Sequence, residues 1–281
     1  MRNFASKLIL TKMRLSLQTF FLILLFSLPA ISANAEDLEQ KGRGRAMKAS
    51  REIGPDKMVA QALPEQSFPR AMAMDMHSPN INNRFKEGID VSHYQGWINW
   101  QEVAGSSQIS YVYLKATEGE SFLDKTYERN LKEAREAGLS VGSYHFYRPN
   151  VNWELQFNNL TRNVTKNTQD LVPMIDIEVR GNVSEAKFLQ DLQKFIKKVE
   201  DFYGKKPLLY TYQNFYNKHL VGQFKGYHWM MAKYQSERPV LTDNQDYIMW
   251  QYSATGSIPG VKGEVDRSRI MGNYSLKQLQ M

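Results

Sequence analysis

Residues 171–212, LVPMIDIEVRGNVSEAKFLQDLQKFIKKVEDFYGKKPLLYTY, contain the pattern of a strand, a helix and a second strand in succession. The apolar runs Leu171 to Val179 and Pro207 to Tyr212 each predict a buried strand. Between them Ser184 is placed to cap the start of a helix, and Gly204 is placed to end it. The apolar stripe of that helix consists of Phe188, Leu189, Leu192, Phe195, Ile196, Val199 and Phe202. A strand–helix–strand unit of this kind predicts a parallel sheet.

Similar short runs occur on both sides of this unit. They are Gly88 to Val91, Ile109 to Lys115, Ser140 to Tyr147, Tyr227 to Ala232, Tyr247 to Tyr252 and Glu264 to Asp266. A further helix is predicted over Asp124 to Ala137, ended by Gly138. The last three connections carry weak helical signals. We therefore predict an α/β fold, a TIM-like barrel of eight strands with incomplete helical covering at the C-terminal strands. An open doubly wound sheet is the alternative, but no Gly-rich phosphate loop follows any of the predicted strands.

Two carboxylates stand at the end of the first of these strands. Because strand side chains alternate, Asp176 and Glu178 project to the same side, opposite Ile175 and Ile177. Close like charges raise the pKa of one carboxyl, which gives a proton donor beside an ionised stabiliser. Acid-catalysed cleavage of a glycosidic bond requires such a pair. The alternative is a salt-bridged or metal-binding pair at a strand end.

Two more acids are expected at the same mouth of the barrel. Asp90 ends the first predicted strand and Asp266 ends the last, and these strands are neighbours in a closed barrel. Aromatic residues cluster at strand ends, namely Tyr144, Phe146, Tyr147, Tyr210, Tyr212, Tyr234, Trp250 and Tyr252. Sugar rings pack their C–H faces on aromatic rings, so acids edged by Tyr and Trp indicate a glycan groove.

Other chemistries have little support in the sequence. The five histidines form no His-Glu-x-x-His pattern and there is no cysteine, so we expect no metal site and no cofactor. The sequence contains no Gly-x-Ser-x-Gly elbow, so it does not indicate a serine nucleophile. His93 and His145 fall near the predicted mouth, and the alternatives for each are a hydrogen bond to substrate and a structural one. 

The charge is concentrated outside the predicted barrel. Residues 1–35 supply +4 of the formal +7, residues 36–86 add +2, and residues 87–281 carry only +1. A nucleic-acid partner, which needs a basic face, is therefore not expected.

The N-terminal region has the pattern of an exported protein. Four basic residues precede the apolar run Phe20 to Leu28, and Ala33 to Ala35 supplies small residues for signal cleavage. We expect residues 1–35 to be a secretory signal, with Met13 as a possible second start, and residues 36–86 to be a flexible linker containing a short helix around Lys57 to Ala62. An uncleaved anchor is the alternative. The expected location is the periplasm or the medium, without stable membrane insertion after cleavage.

Six segments, in order, resemble glycoside hydrolase family 25. They are Gly88 to His93, Leu114 to Gly119, Gly142 to Phe146, Asp176 to Glu178, Trp229 to Tyr234 and Met249 to Ser253, and the resemblance covers roughly residues 86–275. It implies a modified (β/α)5(β)3 barrel over residues 87–281. It also implies lysozyme activity, the hydrolysis of the β-1,4 bond between N-acetylmuramic acid and N-acetylglucosamine in peptidoglycan.

The resemblance also implies roles for individual residues. Glu178 corresponds to the general acid and Asp176 to its partner, while Asp90 and Asp266 correspond to supporting acids. Tyr144, Phe146, Tyr210, Tyr234 and Trp250 correspond to the substrate cleft, to which we add His93 as a candidate binding residue. 

The pair Arg267-Ser268 departs from the family, which usually places an aliphatic residue and Asn there. A cell-wall glycan-binding protein that has lost turnover is therefore the second hypothesis. Under either hypothesis we expect a monomer whose partner is the glycan strand of peptidoglycan.

Overall fold

The computed structural model describes residues 87–106 and 108–281. The predicted signal (1–35), the predicted linker (36–86) and the short helix around residues 57–62 lie outside this part of the chain. Within the described residues, no helix has the length and apolar character needed to cross a membrane.

In the described part of the chain nine strands form a single sheet, and eight of them close into a barrel. The strands are β1 (Glu87–Val91), β2 (Ile109–Glu118), β3 (Phe122–Leu123), β4 (Ser140–Phe146), β5 (Met174–Asp176), β6 (Leu208–Tyr212), β7 (Trp229–Ala232), β8 (Met249–Gly256) and β9 (Val265–Ile270). Each of the eight predicted strands is present. The short β3, which pairs only with the end of β2, is the strand that sequence patterning missed.

The helices cover the first part of the barrel. They are α1 (Trp100–Gly105), α2 (Tyr127–Glu136), α3 (Trp153–Asn163), α4 (Glu185–Tyr203) and the short α5 (Gln213–Phe215), which continues into a π-helical turn over Tyr216–Leu220. As predicted, Ser184 caps α4 through its side chain, and Gly204 ends it in a left-handed conformation. The side chains of Asn99 and Asn152 cap α1 and α3, two helices that were not predicted. 

Parallel pairing runs from β1 through β2, β4, β5, β6 and β7 to β8, and β9 closes the barrel antiparallel to both β8 and β1. Five strand–helix units followed by three strands without covering helices confirm the predicted modified TIM-like barrel. The antiparallel direction of β9 corrects one expectation. Asp266 lies near the beginning of this strand rather than at its end, and the reversed direction brings it to the carboxyl ends of the parallel strands.

The predicted strand over 171–179 is also shorter than expected. The strand is confined to Met174–Asp176, and at its start Pro173 has no N–H to donate to a ladder. Upstream, the N–H of Val172 instead donates to the carbonyl of Leu279 at 2.7 Å. The 3₁₀ turn Leu276–Leu279 therefore covers the end of the barrel opposite the predicted mouth, with Leu276 and Leu279 buried among the interior residues.

Two tyrosine rings fill the barrel interior below the predicted site. Tyr111 and Tyr113 are fully buried, and they lie beside Gly88 and Gly142 on the flanking strands. A Cβ atom added to Gly88 would stand 2.2 Å from the Tyr111 ring, and one added to Gly142 would stand 2.4 Å from the Tyr113 ring. The two glycines therefore make the space that the rings occupy.

The substitution Gly142→Ala tests this packing. We expect the free energy of unfolding to fall by about 2 kcal/mol, because the added methyl group overpacks a closed interior. Gly105→Ala is the matched control, since a Cβ there meets nothing within 4 Å. Urea denaturation of both variants measures the difference. Equal stabilities for the two would contradict this account of the interior.

Candidate active site

A cleft of about 470 Å³ opens at the carboxyl ends of the parallel strands. Nine of the residues singled out from the sequence line it: Asp90, Asp176, Glu178, Asp266, Tyr144, Phe146, Tyr210, Tyr212 and Tyr234. They come from the ends of β1, β4, β5 and β6, the start of β9, and the segments that follow β5 and β7. The fold therefore gathers residues that are up to 176 positions apart in sequence at one mouth.

Four carboxylates lie on the floor of the cleft. Asp176 is the last residue of β5 and is only 4% exposed, and Glu178 follows two residues later in a half-buried position. Ile175 and Ile177 are fully buried on the opposite side, against the helices, as alternation requires.

The other two carboxylates come from the strands that close the barrel. Asp90 and Asp266 are direct partners in the antiparallel β1–β9 ladder. A directly opposed pair in such a ladder has Cβ atoms only about 5 Å apart, so the two side chains share one end of the barrel.

An amide from β8 connects one of these acids to two tyrosines of the cleft. The side-chain nitrogen of Gln251 donates to Asp90 Oδ2 at 2.7 Å. Its oxygen accepts from the hydroxyls of Tyr210 at 2.8 Å and Tyr234 at 2.7 Å. Gln251 is fully buried.

One wall of the cleft carries paired charges. Lys115 Nζ donates to Glu118 Oε2 at 2.5 Å, and the guanidinium of Arg148 donates through Nε to Glu118 Oε1 at 2.9 Å. Arg148 also lies over the ring of Phe146, 4.3 Å from its centroid. Burial alone would raise the pKa of Glu118, but the hydrogen bonds and charges of Lys115 and Arg148 outweigh it and lower that pKa. This wall is therefore ionised and fixed in place at neutral pH.

Two predicted binding residues are not among those that line the cleft. His93 lies on the rim, where its Nδ1 is 2.7 Å from Asp124 Oδ2, and its ring packs 4.2 Å from that of Tyr94, which does line the cleft. Trp250 precedes Gln251 on β8, so alternation directs its ring away from the barrel interior. There its Nε1 donates to the carbonyl of Lys233 at 2.9 Å, and Arg269 lies over its ring.

His145, the other histidine expected near the mouth, is a structural residue. It is fully buried, with Nδ1 at 2.8 Å from the Thr117 hydroxyl and Nε2 at 3.3 Å from Gln156 Oε1. Burial lowers the pKa of His145 to about 4, so the ring is neutral at neutral pH.

The unusual pair Arg267-Ser268 also lies outside the residues that line the cleft. Arg267 forms an ion pair with Glu87, and the hydroxyl of Ser268 is 2.9 Å from that of the buried Tyr111. The departure that motivated the binding-only hypothesis thus concerns contacts within the barrel wall and interior.

Among the residues that line or hold the cleft, Lys115, Glu118, Arg148 and Gln251 were given no role from the sequence. A signal existed for three of them, since Lys115 and Gln251 are polar residues within apolar stretches of their strands and Glu118 ends the same strand as Lys115. Arg148 follows β4 in a loop and carried no such signal.

Comparison with known proteins places this cleft in a family. The model of glycosyl hydrolases family 25 matches residues 89–261. The chain belongs to glycosyl hydrolase family 25. It is therefore a glycoside hydrolase of the muramidase class, with peptidoglycan as the substrate of its family.

This family 25 enzyme is similar in sequence to known proteins and similar in fold to a solved lysozyme structure. It is 36% identical over 197 residues to the uncharacterized protein YegX of Escherichia coli K12, covering 69% of this chain and 71% of YegX. It is 32% identical over 203 residues to lysozyme M1 of Streptomyces globisporus, covering 66% and 68%. The bacterial lysozyme structure from Streptomyces coelicolor superposes with a TM-score of 0.63 at 30% identity, covering 69% of this chain and 95% of that one.

The side chains of the family 25 cleft can supply acid–base chemistry. Carboxylates on the floor can hold and transfer protons, and tyrosines on the walls offer ring faces and hydroxyls to a sugar. Among residues 87–106 and 108–281, no group of three or more His, Cys, Asp or Glu side chains has the arrangement of a metal site.

The ion pairs of Glu118 give a pH-dependent contribution to stability. Because its pKa is lowered in the folded chain, the contribution is full above the usual glutamate pKa of 4.5 and is lost as the pH falls through the folded value. The wild type should therefore exceed Glu118→Gln in free energy of unfolding at pH 7, and the gap should close below pH 4.5. Urea denaturation across this range measures it.

The exposed Glu120 of the same segment provides the control. Glu120→Gln should leave the free energy of unfolding within about 0.5 kcal/mol of the wild type. A gap between wild type and Glu118→Gln that stays constant down to strongly acidic pH would contradict the ion-pair account.

Proposed function

We propose that this family 25 enzyme hydrolyses the β-1,4 bond between N-acetylmuramic acid and N-acetylglucosamine in peptidoglycan, with Glu178 as general acid and Asp176 as its partner. The observation that carries the proposal is the convergence of Asp90, Asp176, Glu178 and Asp266 in one cleft that aromatic side chains also line. Glycosidic cleavage needs a proton donor at the leaving oxygen and negative charge near the anomeric carbon.

The positions of the two central acids suit different roles. Glu178 lies beyond the end of β5 and is the more exposed, so it can reach a glycosidic oxygen in the cleft. Asp176 lies deeper, where its negative charge can stabilise the positive charge that develops on the sugar or its N-acetyl group. As the C–O bond breaks, the proton of Glu178 passes to the leaving oxygen. Water then adds its hydroxyl group to the anomeric carbon, and the proton that it loses returns to the carboxylates of the site, which restores the acid.

The surrounding residues would bind the glycan. Tyr144, Phe146, Tyr210 and Tyr234 offer ring faces and hydroxyls along the walls. Asp90 and Asp266 would orient the central pair or the substrate from the closing strands. For His93 and Trp250, which lie outside the cleft lining, we propose support of the rim: His93 packs on Tyr94, and Trp250 bonds to the segment that carries Tyr234.

The test is digestion of purified peptidoglycan by the full chain, followed by borohydride reduction and mass spectrometry. The wild type should release fragments that end in reduced N-acetylmuramic acid. Glu178→Gln should lower the rate by about 100- to 10,000-fold, the range of general acid catalysis, while the fold is retained by circular dichroism. Glu154→Gln, at an exposed position on α3, is the matched control and should retain full activity.

Two results would contradict the proposal in different ways. New ends carrying N-acetylglucosamine would overturn the assigned bond. Undiminished activity of Glu178→Gln would overturn the role of Glu178.

We also propose that the chain is exported to the periplasm or the medium, with residues 1–35 as a cleaved signal and residues 36–86 as a linker, and that it acts as a monomer. Its substrate class lies outside the cytoplasm, and all the cleft residues come from one chain. N-terminal sequencing of the exported protein should begin near Glu36, and light scattering should give the monomer mass. A product that keeps residues 1–35, or a stable dimer, would contradict these proposals.

A further inference from the structure

We propose that Gln251 is a positioning residue of the reaction, whose side-chain amide fixes the carboxylate of Asp90 and the hydroxyls of Tyr210 and Tyr234 relative to one another. The inference rests on the proposed function, because it concerns how that site is held. The sequence pattern alone assigns no role to Gln251.

The contacts of Gln251 join three different parts of the cleft. Its amide nitrogen is 2.7 Å from Asp90 on β1, and its oxygen is 2.8 Å from the hydroxyl of Tyr210 on β6 and 2.7 Å from that of Tyr234 after β7. These three partners all line the cleft. One planar group thus sets the distances between residues that the backbone delivers from separate strands.

Hydrogen-bond chemistry fixes which way the amide points. The NH₂ group, which is the donor of the amide, faces Oδ2 of Asp90. The carbonyl oxygen then faces the two hydroxyls, both of which can donate to it. A flipped amide would place oxygen against oxygen at Asp90, so the three contacts together permit one orientation.

The backbone of Gln251 holds the same region. Its carbonyl accepts from the N–H of Lys233 at 3.0 Å, and the Nε1 of the adjacent Trp250 donates to the carbonyl of Lys233 at 2.9 Å. Tyr234 is the next residue. The Trp250-Gln251 pair therefore ties the segment after β7 to β8 from both its side chains and its backbone.

Packing alone does not account for an amide at this position. Gln251 is fully buried, and a buried polar group is destabilising when its hydrogen bonds are missing. The interior positions further from the mouth hold apolar and tyrosine side chains, such as Met230, Met249 and Ile270. A polar side chain occurs where its partners are the acids and tyrosines of the cleft.

The substitution Gln251→Glu separates positioning from packing. When protonated, the introduced carboxyl has the same shape and the same pattern, with a donor toward Asp90 and an acceptor toward the tyrosines. When ionised, it places a second negative charge against Asp90 and removes the donor. Activity should therefore be retained at low pH and lost as the pH rises. The activity of this variant should begin to fall at a lower pH than that of the wild type.

The measurement is kcat and KM of the full chain on soluble glycan fragments of peptidoglycan, from about pH 4 to pH 8. Relative to the wild type, kcat of Gln251→Glu should fall about 100-fold across this range, the size of loss that misplaced catalytic groups cause. Gln251→Met, of similar length and without polar atoms, should lose kcat at every pH with KM changed much less. Gln193→Glu, at an exposed position on α4, is the matched control and should follow the wild-type profile.

The outcomes are distinguishable. A Gln251→Glu profile that matches the wild type, or full kcat in Gln251→Met, would overturn the positioning role. A pH-independent loss in both variants that parallels a lower Tm would indicate packing and would also overturn it. A wild type that releases no glycan fragments would overturn the proposed function, and with it this role.

Discussion

The antiparallel pairing of β1 with β9 closes the barrel, and the geometry of the cleft depends on it. In this ladder Asp90 lies directly opposite Asp266, and Gly88 lies opposite Ser268. The first pair brings two acids from the ends of the domain to one mouth. The second pair leaves the space in which the Tyr111 ring fills the interior and reaches Ser268. Without closure, the four carboxylates would lie along an open sheet edge.

The side chains that face inward differ along the barrel axis, being apolar or tyrosine in the interior and polar at the mouth. Below the mouth, Tyr111, Tyr113, Met230 and their neighbours fill the space, and the C-terminal turn covers the far end. At the mouth the inward positions hold carboxylates and an amide, which are costly to bury unless each is hydrogen-bonded. Gln251 meets this requirement for Asp90 with a contact of 2.7 Å. The Lys115–Glu118–Arg148 group meets it on the wall by charge pairing.

Much of this arrangement follows from the sequence, and the exceptions have physical reasons. The alternation at 175–178 and the cap and stop signals at Ser184 and Gly204 are local, so the barrel core and α4 were predictable. The direction of β9 depends on long-range pairing, which is why Asp266 was expected at the wrong end of its strand. The helices α1 and α3 lack a long apolar stripe, and their caps, Asn99 and Asn152, are weak signals without one.

Prediction from the sequence has the same limit for the residues of the cleft, because it does not give long-range pairing. Tyr144, Phe146, Tyr210 and Tyr234 were found because aromatic residues at strand ends are visible in the sequence. Trp250 is also an aromatic residue on a barrel strand, but its side chain points away from the barrel interior. Side chains alternate along β8, and the neighbouring Gln251 points inward. Residue type indicates which strand ends form the mouth of the barrel. Which of two adjacent side chains faces that mouth depends on the register of the strands.

The most direct test is a crystal structure of the Glu178→Gln chain with a bound tetrasaccharide of peptidoglycan. The account predicts that the glycosidic oxygen lies about 3 Å from the introduced amide, with the sugars between the Tyr144–Phe146 wall and Tyr234 and the adjacent anomeric carbon facing Asp176. A glycan bound outside this cleft, or one whose glycosidic oxygens all lie beyond hydrogen-bond reach of position 178, would contradict it.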